Sequence, residues 1–462
     1  MKYSITFQEL DYNKLVLHLF SDRIKERAAY ALCRISKSSD ENRLLVTEII
    51  PVAENLIEDS SEIHMKIKSI SFLRAMKKAN ETKQSFVFIH SHPDGYANHS
   101  VQDDKEEQSL FKTAYNRIRT NSVHASIVLS SPEKPVGRVY LEDGTIQPIT
   151  MIRVIGERFR FFTSDNEPSN SLNFFDRQIR AFGIDIQNLL QKLHIAIVGV
   201  GGTGSAIAEE LIRLGVGNLT VIDGETFEKT NINRVYGSRI SDDGIEKVEI
   251  TKRLASEIGL GTSINTINQP ISFQSVVNKL KNADIIFGCT DDQWGRSILT
   301  RLAVYYGIPV FDMGVRIDSN DNIIKSVEGR VTTLLGGYAC LFCRERINEK
   351  AILRESLAEL NPNELDRLIK AGYADELENP APAVISFTST VASLAITELL
   401  HRLTGFMGKD RTSNEVLIFF DQTKMRTNRR LSNPGHFCGD PYYLLRGDTT
   451  PLLDTTWRDE KI

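Results

Sequence analysis

IAIVGVGGTGSAIAEELIRLGVGNLTVID, residues 195–223, decides the fold of the larger part of this chain. It runs from an unbroken apolar stretch through a glycine-rich turn into an amphipathic helical pattern, and then into a second apolar stretch. A buried strand, a helix and another buried strand in that order make the parallel βαβ unit. Gly199, Gly201, Gly202 and Gly204 form the turn. Their missing side chains let the backbone approach a phosphate, to which the helix start offers free N–H groups and a positive dipole. Asp223 closes the second strand, where a carboxylate can hold ribose hydroxyls. By itself this fingerprint fits a nicotinamide enzyme as well as an ATP enzyme.

Downstream, DIIFGCT (284–290), IPVFDMGV (308–315) and EVLIFFD (415–421) are expected strands, and QWGRSILTRLAVYYG (293–307) and VISFTSTVASLAITELLHRL (384–403) expected helices. The segment 345–378 is polar and helix-prone. Upstream, residues 13–35 place apolar groups at helical spacing and predict a helix. RLLVTEII, FVFIH, ASIVLSS, GRVYLED and TIQPITMIRV are strand-like. The polar TSDNEPSNS (163–171) is expected as a linker. The fold class is therefore α/β, with a mixed α/β domain over 1–160, a linker over 161–174 and a mostly parallel-sheet domain over 175–462.

The chain has 462 residues, room for roughly three modules of about 150 residues each. Its 56 Lys+Arg against 60 Asp+Glu leave a net charge of -4, and no dense basic block is present, so nucleic acid is not expected as the partner. With 41% apolar and 25% charged residues the chain can bury a core, which excludes wholesale disorder. No run approaches the roughly 18 apolar residues of a membrane span. MKYSITFQEL carries no apolar signal core, so a cytoplasmic location is expected. Cys33, Cys289, Cys340, Cys343 and Cys438 are too few, and odd in number, for a disulfide framework.

Two groups of residues carry chemistry. In FVFIHSHPDGYANHSVQDD, His90 and His92 sit at alternate positions of a strand and so share a face, and Asp103 follows. Two imidazoles and one carboxylate leave a tetrahedral Zn²⁺ with an open position, as a catalytic site requires. A further carboxylate must then move the proton of the attacking water, and Glu26 on the expected early helix is the choice. His99 and Asp104 fall out of register and are expected to be solvated. In the second group, Asn231, Asn233, Arg234, Lys247, Asp291 and Arg296 surround the glycine-rich unit. Arg and Lys neutralise a triphosphate while an acidic group holds Mg²⁺. A nicotinamide site needs no such trio, so nucleotidyl transfer is favoured.

At the first group the sequence resembles the JAMM (MPN-type) zinc metalloproteases, whose pattern is Glu, His-x-His, seven residues, Ser, two residues, Asp. The resemblance implies a JAMM-like fold, with His90, His92 and Asp103 as zinc ligands, Glu26 as acid/base and Ser100 as the oxyanion-stabilising group. Over roughly 175–440 the chain resembles the ubiquitin-activating-enzyme-like adenylyltransferases of the ThiF/MoeB superfamily, through FFDRQIRAFG, the glycine turn, VIDGETFEKTNINR, EKVE, CTDD and a CxxC. This implies a Rossmann-like fold and ATP as substrate. Asp223 would hold the ribose, Arg234 and Lys247 the phosphates and Asp291 the Mg²⁺, and Arg177 would reach the ATP of a second subunit in a homodimer. The implied reaction is adenylation of the C-terminal carboxylate of a ubiquitin-like or sulfur-carrier protein with a Gly-type C-terminus, with a conjugating enzyme as further partner. Family context implies a prokaryotic modification system, with antiphage defence as the leading setting.

The chain also departs from that family. Cys340 and Cys343 match the first zinc pair, but the second pair is reduced to Cys438, with His436 available to complete a Cys₃His site. No cysteine lies between 345 and 437 to form a thioester. Any covalent intermediate there would need a hydroxyl such as Ser386, Thr388, Ser389 or Thr390, and adenylation followed by direct transfer is favoured. Cys33, on the expected helix, and Cys289 are expected to be packing residues. Three rivals stay open: sulfur-carrier activation for cofactor or amino-acid synthesis, an inactive docking role for the first domain, and nicotinamide-dependent oxidoreduction.

Overall fold

A computed structural model describes residues 1–22, 24–61, 65–120, 123–164, 172–321, 323–371, 382–408 and 411–458. The chain divides into two compact units, Met1–Glu167 with Leu445–Asp448, and Pro168–Leu444 with Thr449–Ile462. Residues 165–171 of the expected linker, and 372–378 of the expected polar helical region, lie outside the described residues.

In the first unit β1 (Lys2–Gln8) leads into α1 (Glu9–Leu19), followed by β2 (Ala28–Lys37), β3 (Glu41–Pro51), β4 (Ile57–Ser60) and β5 (Met65–Ile67). Then come α2 (Ser69–Glu81), β6 (Ser85–Ser91), α3 (Val101–Arg117), β7 (His124–Leu129), β8 (Pro135–Tyr140), β9 (Ile146–Ile155) and β10 (Phe159–Thr163). The large sheet runs β1-β3-β2-β6-β7-β8-β9-β10, and a further pairing of β1 with β9 closes it on itself.

One expectation fails here. The helix expected over 13–35 ends at Leu19, and residues 28–37 are strand. Ala29, Ala31 and Cys33 of β2 pack with Tyr12, Leu15 and Leu19 of α1, while Ala28, Tyr30 and Leu32 pack with α2 and α3 residues such as Met76 and Phe111. A strand buried on both faces loses its polar alternation, so its apolar run imitates a helix. Cys33 is accordingly a buried strand residue rather than a helical one.

The second unit opens with α4 (Asp176–Phe182) and α5 (Ile184–Lys192), then β11 (His194–Val198), α6 (Gly202–Leu214), β12 (Asn218–Ile222), α7 (Lys247–Ile258) and β13 (Ser263–Ile267). It continues with α8 (Gln274–Leu280), β14 (Ile285–Gly288), α9 (Gln293–Tyr306), β15 (Val310–Asn320) and β16 (Ile323–Leu334). Last are α10 (Glu349–Leu360), α11 (Pro362–Lys370), α12 (Ile385–Thr404), β17 (Glu415–Phe419) and β18 (Lys424–Asn428). The sheet order is β13-β12-β11-β14-β15-β16-β17-β18. Pairings from β13 to β15 are parallel and those from β15 to β18 antiparallel. β11 has β12 on one side and β14 on the other. The strand order reverses there, and ligands of open α/β sheets bind outside the carboxyl ends of strands at such a point.

Among the described residues no helix is long and apolar enough to cross a membrane.

Candidate functional site

In the first unit β6 delivers the imidazoles. His90 lies on the face of β6 that carries Phe86, toward α2 and α3, and the backbone N–H of His92 is tied to Leu129 O of β7 at 2.9 Å. Asp103 comes from the first turn of α3. Ser100 caps this helix: its Oγ accepts from Asp103 N–H (3.1 Å) and its own N–H donates to Asp103 Oδ2 (2.6 Å). The structure thus places Ser100 where it holds Asp103 in position. His90 Nε2 is 3.1 Å from His92 Nε2 and 3.2 Å from Asp103 Oδ1, and His92 Nε2 is 3.4 Å from Asp103 Oδ2.

A tetrahedral ion with bonds of about 2.0–2.1 Å has donor–donor edges of roughly 3.3 Å, so the three donors fit the ion expected there. His92 Nδ1–H donates to Tyr96 O at 3.0 Å, which turns the Nε2 lone pair toward the other donors. Although burial opposes it, the contacts from His90 and His92 hold Asp103 far below the usual carboxylate range.

Glu26 stands in the loop entering β2, not on a helix. Ser60 Oγ donates to Glu26 O (2.8 Å) and Glu26 N–H donates to Ser61 O (2.9 Å), so the backbone is pinned while Oε1 reaches within 3.9 Å of His92 Nε2. Burial pushes its carboxyl up to about 7, against the pull of His90 and His92, which suits a group that takes and returns protons near neutrality. His99, expected in solvent, is half-buried with Nε2 3.2 Å from Ser126 Oγ; Asp104 is exposed and paired with Arg138. Residues far apart in sequence create the niche for His99, which local polarity could not reveal.

In the second unit the glycine turn joins β11 to α6. Gly199 has φ +87°, and a Cβ there would stand 3.0 Å from the backbone of Cys289 and Thr290 at the end of β14. A Cβ on Gly204 would fall 1.8 Å from Gly199 O. The turn therefore closes only with glycine at both positions. Gly201, the N-cap of α6, gives its helix no side-chain cap, so the first N–H groups stay available to an anion. By contrast Asp292 caps α9 through Gly295 N–H, and Glu355 accepts from Trp294 N–H at 2.8 Å. The neighbouring Asp291 is exposed beside the carboxyl end of β14.

Asp223 accepts from Val200 N–H (2.8 Å) and Glu225 N–H (2.9 Å), tying the turn to the end of β12. Burial pushes its carboxyl up, against the charge of Lys247. Lys247 is buried at the start of α7 and pairs with Glu225. The Arg234 stem lies over Gly202, 3.3 Å from a Cβ built there, and its Nη1 donates to Thr230 O at 2.8 Å. Asn231 is buried and accepts from Glu228 N–H (3.4 Å), which shapes this loop, while Asn233 is exposed. Arg296 departs from the expected phosphate group: it binds Thr290 O (3.1 Å) and approaches the buried Asp312 (3.5 Å), which Arg330 also pairs. Arg177 is exposed on α4.

Cys340, Cys343, His436 and Cys438 bring their donor atoms within 4.8 Å of one another. Gly337 N–H donates to Cys438 O at 2.8 Å, which brings the two halves together. The Cys343–Cys438 Sγ distance is 3.6 Å, and His436 Nδ1 lies 3.1 Å from Cys438 Sγ and 3.6 Å from Cys340 Sγ. Zinc–sulfur bonds of about 2.3 Å give tetrahedral edges of about 3.8 Å, so a Cys₃His set fits. Of the hydroxyls on α12, Thr388 and Thr390 bond carbonyls of their own helix, Ser389 Oγ meets Tyr236 Oη at 2.8 Å and Ser386 is exposed.

Residues 175–439 match the ThiF family. The chain belongs to the ThiF family. Residues 11–138 match the prokaryotic homologs of the JAB domain, so a JAB-like domain precedes the ThiF domain. Molybdopterin-synthase adenylyltransferase of Escherichia coli K12 is 26% identical over 271 residues, 57% of this chain and 95% of that protein. Ubiquitin-like modifier-activating enzyme 5 of Aedes aegypti is 27% identical over 180 residues, 36% of this chain and 45% of that relative, so the match spans less than half of its length. A crystal structure of E. coli MccB with ATP aligns over 61% of this chain and 77% of its own, at 18% identity and a TM-score of 0.46.

Sequence reasoning missed several residues of the ThiF unit, Glu225 against Lys247 and Asp312 between two arginines among them, and Tyr96 and the His99 niche in the JAB unit. Only Glu225 had a local signal, two residues after Asp223.

Proposed function

We propose that the ThiF unit adenylates the C-terminal carboxylate of a ubiquitin-like protein, and that the JAB unit is a zinc isopeptidase or peptidase that trims or releases the same protein. The observation that carries this is the uncapped start of α6, with the Arg234 stem over Gly202 and Asp291 beyond the strand against which Gly199 packs. In this reading the triphosphate lies at that helix start, Asp223 holds the ribose, and Arg234 and Lys247 neutralise the phosphates. Asp291 would hold Mg²⁺, which lowers the charge of the pyrophosphate that leaves. The carrier's carboxylate attacks the α-phosphorus, and catalysis is positioning and charge neutralisation. Arg177 reaching a second subunit, and so a homodimer, belongs to this proposal.

In the JAB unit His90, His92 and Asp103 would hold zinc, which supplies a Lewis acid and an acidified water when bound. Glu26 takes the proton of the attacking water and returns it to the leaving amine. Ser100 orients Asp103, and its hydroxyl is the group offered to the oxyanion. The Cys₃His set would hold a second, structural zinc. The match to prokaryotic JAB homologs supports a prokaryotic modification system as the setting; antiphage defence as its use belongs to this proposal by analogy with the family alone.

The test is ATP–pyrophosphate exchange with ubiquitin-like proteins ending in Gly-Gly, alongside cleavage of a fusion to the same C-terminus. Exchange that survives Asp291→Ala would show that the adenylation site lies elsewhere. A second reading, sulfur-carrier activation, draws support from the molybdopterin-synthase adenylyltransferase relative and from the absence of cysteine between 345 and 437. A thiocarboxylate on the carrier, rather than an amide to lysine, would decide for it.

A further inference from the structure

Glu107 lies on α3 four residues after Asp103 and is 1% exposed. Its carboxylate accepts from Arg138 Nε (3.0 Å) and Nη2 (2.8 Å), from Tyr140 Oη (2.8 Å) and from Ser126 Oγ. Arg138 also pairs with Asp104 of the same helix. Ser126 of β7 and Arg138 of β8 are direct cross-strand partners, and Tyr140 stands two residues along β8 on the same face. Because an ionised carboxylate only accepts, Ser126 must donate its proton to Glu107, and its lone pair then accepts from His99 Nε2–H at 3.2 Å. A directed chain thus runs from the loop before α3, through β7, back into α3, where Arg138 and Tyr140 of β8 donate to the same carboxylate.

Residues four apart on a helix share a side, so the contact that fixes Glu107 also fixes the rotation of the turn that bears Asp103. A buried ion pair is a weak source of stability compared with apolar packing, yet it specifies geometry closely. We propose that Glu107, held by Arg138, Tyr140 and Ser126, is the positioning residue that keeps Asp103 within reach of His90 and His92 and so sets the metal affinity of that centre. This rests on the reading of His90, His92 and Asp103 as a metal centre. Groups that orient a ligand in this way change affinity by about 10–100-fold when removed.

The test uses the full chain, stripped of metal and titrated with zinc and with cobalt(II) against a chromophoric chelator. The cobalt–thiolate absorption of the Cys340, Cys343, His436 and Cys438 cluster reports that cluster separately. Glu107→Gln is expected to weaken binding at the histidine centre about 10–100-fold and to alter its cobalt d–d spectrum, leaving the thiolate band unchanged. Ser126→Ala, which keeps the Arg138 pair, is expected to weaken it a few-fold. Leu15→Ala, in the separate apolar cluster around α1 that does not include Tyr140, lowers stability without touching the network and should bind as the parent does. If Glu107→Gln and Ser126→Ala bind as tightly as the parent with unchanged spectra, or if Leu15→Ala loses affinity equally, the positioning role is overturned while the metal centre stands. Should Glu107→Gln fail to fold, Ser126→Ala decides alone. A parent chain that loads the thiolate cluster and takes no metal at the histidines would instead overturn the reading beneath it.

Discussion

The Nε2 atoms of His90 and His92 lie 3.1 Å apart, both side chains buried, with the Asp103 carboxylate touching each. Two imidazole lone pairs do not face each other at that distance without a proton or a cation between them. Asp103 adds negative charge and so favours the cation. Purified chain is expected to hold two zinc ions. His90→Ala or Asp103→Ala removes one and Cys343→Ser removes the other, as read by elemental analysis. Loss of both in one of these variants would mean the centres are not independent.

Glu26 is the half-free partner in this group, its backbone pinned and its carboxyl 3.9 Å from His92. Glu26→Gln keeps size and loses proton transfer. Cleavage of a ubiquitin-like fusion is expected to fall by at least about 10²-fold with zinc content unchanged. A loss of zinc together with activity would assign Glu26 to ligation instead.

Gly204 and Gly201 separate fold from binding. A Cβ on Gly204 meets Gly199 O at 1.8 Å, whereas one on Gly201 meets nothing within 4 Å. Gly204→Ala is therefore expected to lower the melting temperature and abolish ATP binding. Gly201→Ala should melt like the parent and weaken ATP alone. Equal melting temperatures for the two would contradict the close approach in the turn.

Adjacent carboxylates in CTDD have different tasks. Asp292 caps α9, so Asp292→Ala is expected to cost about 1 kcal/mol of stability. Exposed Asp291 carries no such role, and Asp291→Asn should leave stability unchanged while pyrophosphate exchange disappears. Denaturant melts and exchange assays on both variants check the division.

Glu41 makes the JAB unit acid-sensitive. Burial alone would raise its carboxyl, but Arg153 and Arg43 outweigh this and hold it down at about 2. A carboxylate depressed in the folded state stabilises above its ordinary range, and that stability is lost as pH falls from about 4.5 toward 2. Melting temperature should drop steeply across this window. Glu41→Gln should flatten the drop and cost about 3 kcal/mol at neutral pH, because it removes the carboxylate that pairs with both buried arginines, Arg43 and Arg153.

Much of the chemistry was legible locally. The glycine turn, its flanking strands and Asp223 lie within 195–223, where a buried βαβ unit writes its own pattern. His90, His92, Ser100 and Asp103 also lie close together, on one strand end and the helix start after it. Glu26 was chosen as a carboxylate on the expected early helix, whereas it stands in the loop before β2, because β2 is buried on both faces and loses the alternation that marks a strand.

What the amino-acid order determined by itself was the set of donors, the glycines and the two modules, all signals carried by neighbours in the chain. Only the tertiary structure decided that Arg296 serves Asp312 and that Glu107 meets Arg138 from 31 residues away, while it brought the expected set of Cys340, Cys343, His436 and Cys438 together across nearly a hundred residues. Buried charges and thiols take whichever partner the packing brings within reach, and no local periodicity encodes that meeting.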